Sequence, residues 1–152
     1  MNSTATATGK SAFLIIGYGN TLRGDDGVGP RVAEAMDMLG LPGVRTLAAP
    51  MLTPELAAPI SRAHTVIFVD AAVDELREVQ LRPLAPRESS QLMAHAADPR
   101  TMLALARDVF GHAPKAWWLT IPAEQMEFTE ALSPRTQQGF AEAVKKIRTL
   151  CR

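Results

Sequence analysis

Residues Thr65 to Asp70, reading Thr-Val-Ile-Phe-Val-Asp, form an unbroken apolar run that ends in an acid. A strand of this composition is one buried on both faces. Ala116 to Ile121 makes the same demand, because its adjacent Trp117 and Trp118 must point to opposite sides of a strand. Both sides therefore need a cover, and helices supply it. Strands predicted at Ala12–Gly17, Val44–Ala48, Thr65–Asp70, Leu76–Leu84 and Ala116–Ile121 alternate with predicted helices at Pro30–Leu39, Pro54–Arg62, Pro99–Phe110 and Pro134–Leu150. The alternation predicts an α/β fold: a three-layer α/β/α sandwich on a five-stranded, mostly parallel sheet. One link departs from it. Residues Ala71 to Glu75 are too few for a parallel crossover, so the fourth strand is expected to run antiparallel to the third.

The helix starts share a device. Thr53-Pro54, Asp98-Pro99 and Ser133-Pro134 each place a capping side chain before a proline. The side-chain oxygen accepts an orphan backbone N–H, and proline gives up only a donor that had no partner. Gly111 then ends the Pro99 helix as a C′ residue, while Gly40 and Pro42 end the first one.

With 152 residues, the chain is long enough for one domain that buries roughly 70% of its unfolded surface. Met1 to Ser11 is small and polar, without a basic start or apolar centre, so it is expected to be a disordered tail rather than a secretory signal, with residues 12–152 as the single domain. Sixteen basic and sixteen acidic side chains cancel, which argues against a nucleic-acid or acidic-membrane partner. No apolar run approaches the ~20 residues of a membrane span, and a cytoplasmic location is expected. The lone Cys151 excludes an intramolecular disulfide and any cysteine-based zinc site. At the end of a helix it is a poor nucleophile.

The chemistry concentrates after the first strand. Gly17 to Gly29 reads Gly-Tyr-Gly-Asn-Thr-Leu-Arg-Gly-Asp-Asp-Gly-Val-Gly and joins that strand to the first helix. In open α/β sheets, ligands gather outside the carboxyl ends of the strands. Asp26 in this loop and Asp70 at the end of the third strand share that edge if the two strands are parallel neighbours. An antiparallel fourth strand leaves Leu84 at the opposite edge. Ala85 to Ala94, at ~3.3 Å per extended residue, is long enough to carry His95 back. Two carboxylates and an imidazole suit a divalent first-row metal, and the set alone does not choose among nickel, zinc, cobalt and copper.

Each member also has a plainer role. Asp26 complements the positive end of the first helix, Asp70 is a solvated strand end, and His95 is a surface or capping residue. His64 and His112 flank helix ends and are read as structural. Asp25 is expected to turn its carboxylate onto loop amides in an Asx-type contact.

Other sites fit less well. Gly17-x-Gly19 begins like a dinucleotide fingerprint, but Leu22 stands at the third glycine position and no acid closes a strand ~20 residues later. The loop lacks the lysine and hydroxyl of a P-loop. Asp25 and Asp26 also repel phosphate, against a small nucleotide-binding domain. Ser89 and Ser90 with His95 and Asp70 lack the Gly-x-Ser-x-Gly elbow of a hydrolase. Asp25 and Asp26 are consecutive on one loop and so do not oppose each other like the carboxyls of an aspartic protease.

The loop resembles the opening motif of the hydrogenase maturation proteases, which trim the large subunit of nickel–iron hydrogenases. That motif, Gly-x-Gly-Asn-x-Leu-x-x-Asp-Asp/Glu-Gly-x-Gly, is matched at every fixed position. Further matches follow in order: Leu52-Thr53-Pro54-Glu55-Leu56, Val66 to Ala71, Ser90 to Leu105 around His95, and Leu132-Ser133-Pro134. They span about residue 12 to the end. Two departures stand out: some members carry Glu where this chain has Asp26, and the usual glycine before Leu-Ser-Pro is Ala131.

The resemblance implies a five-stranded twisted sheet, metal ligands at Asp26, Asp70 and His95 acting in catalysis through the metal, and nickel supplied by the precursor large subunit. The implied partner is that precursor, and the protein is expected to be a monomer. The implied activity is endopeptidase removal of the precursor's C-terminal extension, with water as the attacker. The alternative is a chaperone-like module that senses the metal-loaded subunit without cutting it. Met51, Leu52 and Met93 are candidates for an apolar rim that receives the precursor, or ordinary packing beneath loops.

Overall fold

The computed structural model describes residues 11–73, 78–92 and 95–152. In chain order the elements are β1 (Ser11–Tyr18), α1 (Val28–Leu39), β2 (Val44–Ala49), α2 (Ala57–Ser61), β3 (Ala63–Ala72), β4 (Gln80–Leu84), α3 (Pro99–Phe110), β5 (Lys115–Pro122) and α4 (Pro134–Leu150). The segment expected to be a tail lies outside the described residues except for Ser11, which opens β1. Among the described residues no helix is long and apolar enough to cross a membrane.

The strands form one five-stranded sheet in the order β2-β1-β3-β5-β4. β1 pairs in parallel with β2 and β3, and β3 with β5. The α/β expectation is therefore met. Period-2 alternation divides the core. Leu14, Ile16, Val66, Phe68 and Ala116 face α2 and α3, where they meet Ile60, Met102, Leu103 and Ala106. Ile15, Ile67, Val69, Leu119 and Ile121 face α1 and α4, against Val32, Met36, Ala143 and Ile147. Trp118 joins the first layer and Trp117 the second, as their adjacency requires.

The fourth strand has the expected direction and a neighbour that the sequence left open. β4 does run opposite to β3, but its neighbour is β5, in the register Leu81↔Leu119 and Pro83↔Trp117. The slot beside β3 needs a strand that can bond on both sides and bury both faces. β5 meets that demand. β4 carries Pro83, which lacks a ladder donor and suits an edge.

The capping device also divides. Asp98 accepts the Arg100 N–H at 2.7 Å and Ser133 accepts the Thr136 N–H at 3.3 Å, so α3 and α4 begin and end as expected. Thr53 caps nothing: its hydroxyl donates to Glu55 at 2.7 Å. The expected helix opens instead as a 3₁₀ turn, Pro54–Leu56, in which the Thr53 carbonyl already accepts the Leu56 N–H at 3.0 Å. With its hydroxyl turned to the Glu55 carboxylate, the Thr53 side chain takes no backbone donor of the turn. Thr53→Ala is accordingly expected to change stability by no more than about 0.5 kcal/mol. Ser133→Ala is expected to cost about 1–2 kcal/mol. Urea denaturation of the two variants measures the contrast.

Candidate functional site

The parallel strands β1, β2, β3 and β5 all end at one edge, and the Gly17–Gly29 loop lies over it. Gly19 turns the chain with φ +143°, and a Cβ there would stand 2.0 Å from the Asp26 carbonyl oxygen. That contact lets the two ends of the loop close on each other. The Asn20 N–H then reaches the Asp26 Oδ2 at 2.8 Å, and Asn20 Oδ1 accepts the Leu22 N–H at 2.9 Å. Gly17 and Gly29 bring β1 and α1 into backbone contact, since a Cβ on Gly17 would lie 1.9 Å from the Gly29 carbonyl oxygen.

Asp25 is fully buried, and its role is larger than the local contact expected of it. Its Oδ2 accepts the N–H groups of Glu124 and Gln125 at 2.9 Å each and the Ser133 hydroxyl at 2.8 Å. Its Oδ1 accepts the Ser133 N–H at 2.7 Å. These donors lie about a hundred residues away, on the link from β5 to α4, so no Asx turn forms. Burial pushes the Asp25 carboxyl up, but the hydrogen bonds from Glu124, Ser133 and Gln125 outweigh it and hold the group below its ordinary range. The Gly24 N–H to Thr129 and Asp25 N–H to Gln125 bonds, both 2.7 Å, complete the seam.

Asp70 follows from alternation. It lies on the same face of β3 as Val66 and Phe68, toward α3, and Tyr18 at the end of β1 shares that face with Leu14 and Ile16. The Tyr18 hydroxyl donates to Asp70 Oδ2 at 3.1 Å. Burial pushes the Asp70 carboxyl up to about 6, opposed by the Tyr18 bond and the Ala71 backbone and helped by the charge of Asp26. Burial, then the neighbouring Asp70 carboxylate, push the Tyr18 phenol upward, so the phenol remains a donor.

His95 comes back across the sheet as the sequence reading required. β4 ends opposite Ala116, at the far edge, and the return segment is fastened to α3. The Arg87 N–H bonds the Arg100 carbonyl at 3.1 Å, Arg100 Nε bonds the Ala85 carbonyl at 2.8 Å, and the Arg87 guanidinium grips the Asp98 carboxylate. The Asp98 N–H in turn holds the His95 carbonyl at 3.1 Å. His95 thereby joins Asp70, Tyr18, Asp98 and Trp118 around a cleft of about 410 Å³.

Asp70 and His95, 25 positions apart in the chain, thus share one cleft. Asp26 does not line it and stands near enough to be felt by Asp70 as charge. Among the described residues no three His, Cys, Asp or Glu side chains are grouped closely enough to hold a metal ion. The free protein therefore presents one carboxylate and one imidazole, Asp70 and His95, at an open cleft with the Asp26 carboxylate nearby, rather than a closed metal cage.

The remaining candidates lie elsewhere. Ser89 donates to Asp108 at 2.7 Å, away from Asp70, and His64 and His112 are exposed. Burial raises the Cys151 thiol to about 11, consistent with an inert side chain. Of the rim candidates, Met51 is exposed, whereas Leu52 is 5% exposed and takes the other reading, packing in the core beneath; Met93 lies outside the described residues. A larger hollow of about 820 Å³ between β4 and α4 sits on the other face of the sheet. Tyr18 was missed, although alternation from Leu14 and Ile16 already placed it on the face of Asp70.

No protein-family model and no curated protein matches the chain. Solved structures do. The hydrogenase 2 maturation peptidase from Thaumarchaeota archaeon SCGC_AB-539-E09 is similar over 91% of this chain and 97% of its own, at 22% identity and a TM-score of 0.68. The hydrogenase maturating endopeptidase HybD from E. coli is similar over 89% and 88%, at 22% identity and a TM-score of 0.67. The NiFe hydrogenase maturation protease HybD from Thermococcus kodakarensis is similar over 92% and 99%, at 20% identity and a TM-score of 0.66. The likeness establishes a shared fold.

Proposed function

We propose that this chain, which has the fold of the hydrogenase maturation endopeptidases, is itself a peptidase that recognises nickel in the precursor of a nickel–iron hydrogenase large subunit and removes its C-terminal extension. The observation that carries this reading is the meeting of Asp70 and His95 in one cleft beside the glycine loop, on the fold that those endopeptidases use. Nickel here belongs to the substrate. The precursor brings it already held by its own ligands, so this chain needs to offer only a partial set. Asp26, Asp70 and His95 supply two anionic oxygens and one directional nitrogen, a donor set that suits borderline divalent ions. An open cleft with incomplete ligation favours the metal-loaded precursor over free metal.

The protein's own groups then divide the work. Asp70 and His95 engage the metal centre from the cleft, and Asp26 contributes its carboxylate from the loop. The backbone of Gly17 to Gly29, pinned through Asp25, is the rigid support against which the extension is aligned. Among the described residues that line the cleft none is a conventional nucleophile, so water attacks the scissile carbonyl.

The test mixes the protein with nickel-loaded precursor and follows the loss of the C-terminal mass. Asp70→Ala and His95→Ala are each expected to lower the cleavage rate at least 100-fold, and Asp26→Ala at least 10-fold, with folding retained. General acid–base or positioning groups contribute on this order. Full cleavage by all three variants would remove the metal-recognition reading. Tight association without mass loss would leave a sensing module in place of a peptidase.

A further inference from the structure

Resting on the peptidase reading, we infer that Tyr18 is a positioning residue for Asp70, fixing the direction in which its carboxylate is presented to the metal of the substrate. Among the described residues, Tyr18 is the side chain that hydrogen-bonds Asp70, through Oδ2 at 3.1 Å. The bond crosses from β1 to β3, whose register pairs Gly17 with Val69, so the two side chains stand next to each other on one face. The Tyr18 bond on Oδ2, with the Ala71 N–H also on the carboxylate, sets the direction in which Asp70 presents its oxygens. Ligating carboxylates are held in this way by outer partners, whose loss costs 10–100-fold in metal affinity or activity.

The surroundings offer Asp70 a second partner. Across the ladder from Asp70 stands Thr120 on β5, in direct register and on the same face. Thr120 is 2% exposed, and its hydroxyl is buried with no hydrogen-bond partner. Asp70 thus lies between an engaged hydroxyl on β1 and an unengaged one on β5. Tyr18 decides the direction in which the carboxylate faces, and its removal frees Asp70 to turn toward Thr120.

Tyr18→Phe removes the hydroxyl and keeps the ring, whereas Tyr18→Leu removes both. Both variants are expected to raise KM for nickel-loaded precursor about 10-fold or more with kcat changed less. Only Tyr18→Leu is expected to lower the denaturation midpoint appreciably, because only it loses packing in the layer with Leu14 and Ile16. A crystal structure of Tyr18→Phe supplies a readout independent of activity: the Asp70 carboxylate is expected to be rotated toward the Thr120 hydroxyl. Unchanged Asp70 geometry, or wild-type KM in Tyr18→Phe, overturns the positioning role. Wild-type protein that leaves nickel-loaded precursor uncut overturns the peptidase reading instead, and the crystal structure still decides the role of Tyr18.

Discussion

Asp25→Ala is expected to lose about 4 kcal/mol of folding stability, the largest effect of any single substitution at the site. The side chain is fully buried and accepts three backbone N–H groups and one hydroxyl. Removing it leaves those donors facing a void, at about 1–3 kcal/mol for each one left unsatisfied. Partial access of water to the Ser133 and Gln125 region moderates the total. Asp25→Asn is expected to recover little, because the amide nitrogen turns two hydrogens toward groups that are donors themselves.

The same carboxyl links stability to acid. Its folded value lies below 3.8, so its contribution is fully present above the unfolded value and fades as pH falls through the folded one. Chemical denaturation at pH 7, with hydrogen exchange at Glu124, Gln125 and Ser133, measures the effect. A loss below about 1 kcal/mol would show that the seam between the glycine loop and the β5–α4 link is held by its backbone bonds alone.

Asp70→Asn is expected to do the opposite and stabilise the free protein at pH 8. Burial raises the Asp70 carboxyl from 3.8 to about 6, so the folded state holds the proton more tightly than the unfolded chain across that window. Stability therefore falls as pH rises from about 4 to about 6, and above it the ionised group is a net burden. At about 1.4 kcal/mol for each tenfold change in proton affinity, the ceiling is about 3 kcal/mol. Solvent at the mouth of the cleft screens part of this, which leaves about 1–2 kcal/mol and a Tm gain of about 3–6 °C at this chain length. Asparagine still accepts the Tyr18 bond, so the gain isolates the charge. It is expected to vanish at pH 4, and a gain that persists there would trace to packing rather than ionisation. A group that weakens the fold yet occupies the cleft is one kept for its chemistry.

The glycine loop, the apolar run ending in Asp70 and the caps at Asp98 and Ser133 were all legible as sequence. Each is a local matter: a dihedral only glycine adopts, a strand whose two faces are equally apolar, a side-chain oxygen within reach of its own helix. The bounds of α3 and α4 were read to the residue for this reason. Asp70 and His95 were legible as partners because strand direction and segment length limited where each could go.

Failures share the opposite character. The direction of β4 was legible but its neighbour was not, because a sheet slot is awarded by competition, and β5 with two apolar faces outbids a strand carrying Arg82 and Pro83. Thr53 had the right residue type, but its hydroxyl bonds the Glu55 side chain and caps no backbone donor. Leu52 was left open between rim and packing, and it packs as core. Asp25 and Asp26 are adjacent and chemically identical, yet one is buried under donors from a hundred residues away and the other bonds Asn20 within its own loop. Short-range sterics and hydrogen bonding therefore account for the elements and for the types of side chain at the sheet edge. Which of those side chains becomes a strut, a clamp or a ligand was settled by long-range packing, because burial and partners exist only once distant segments have met.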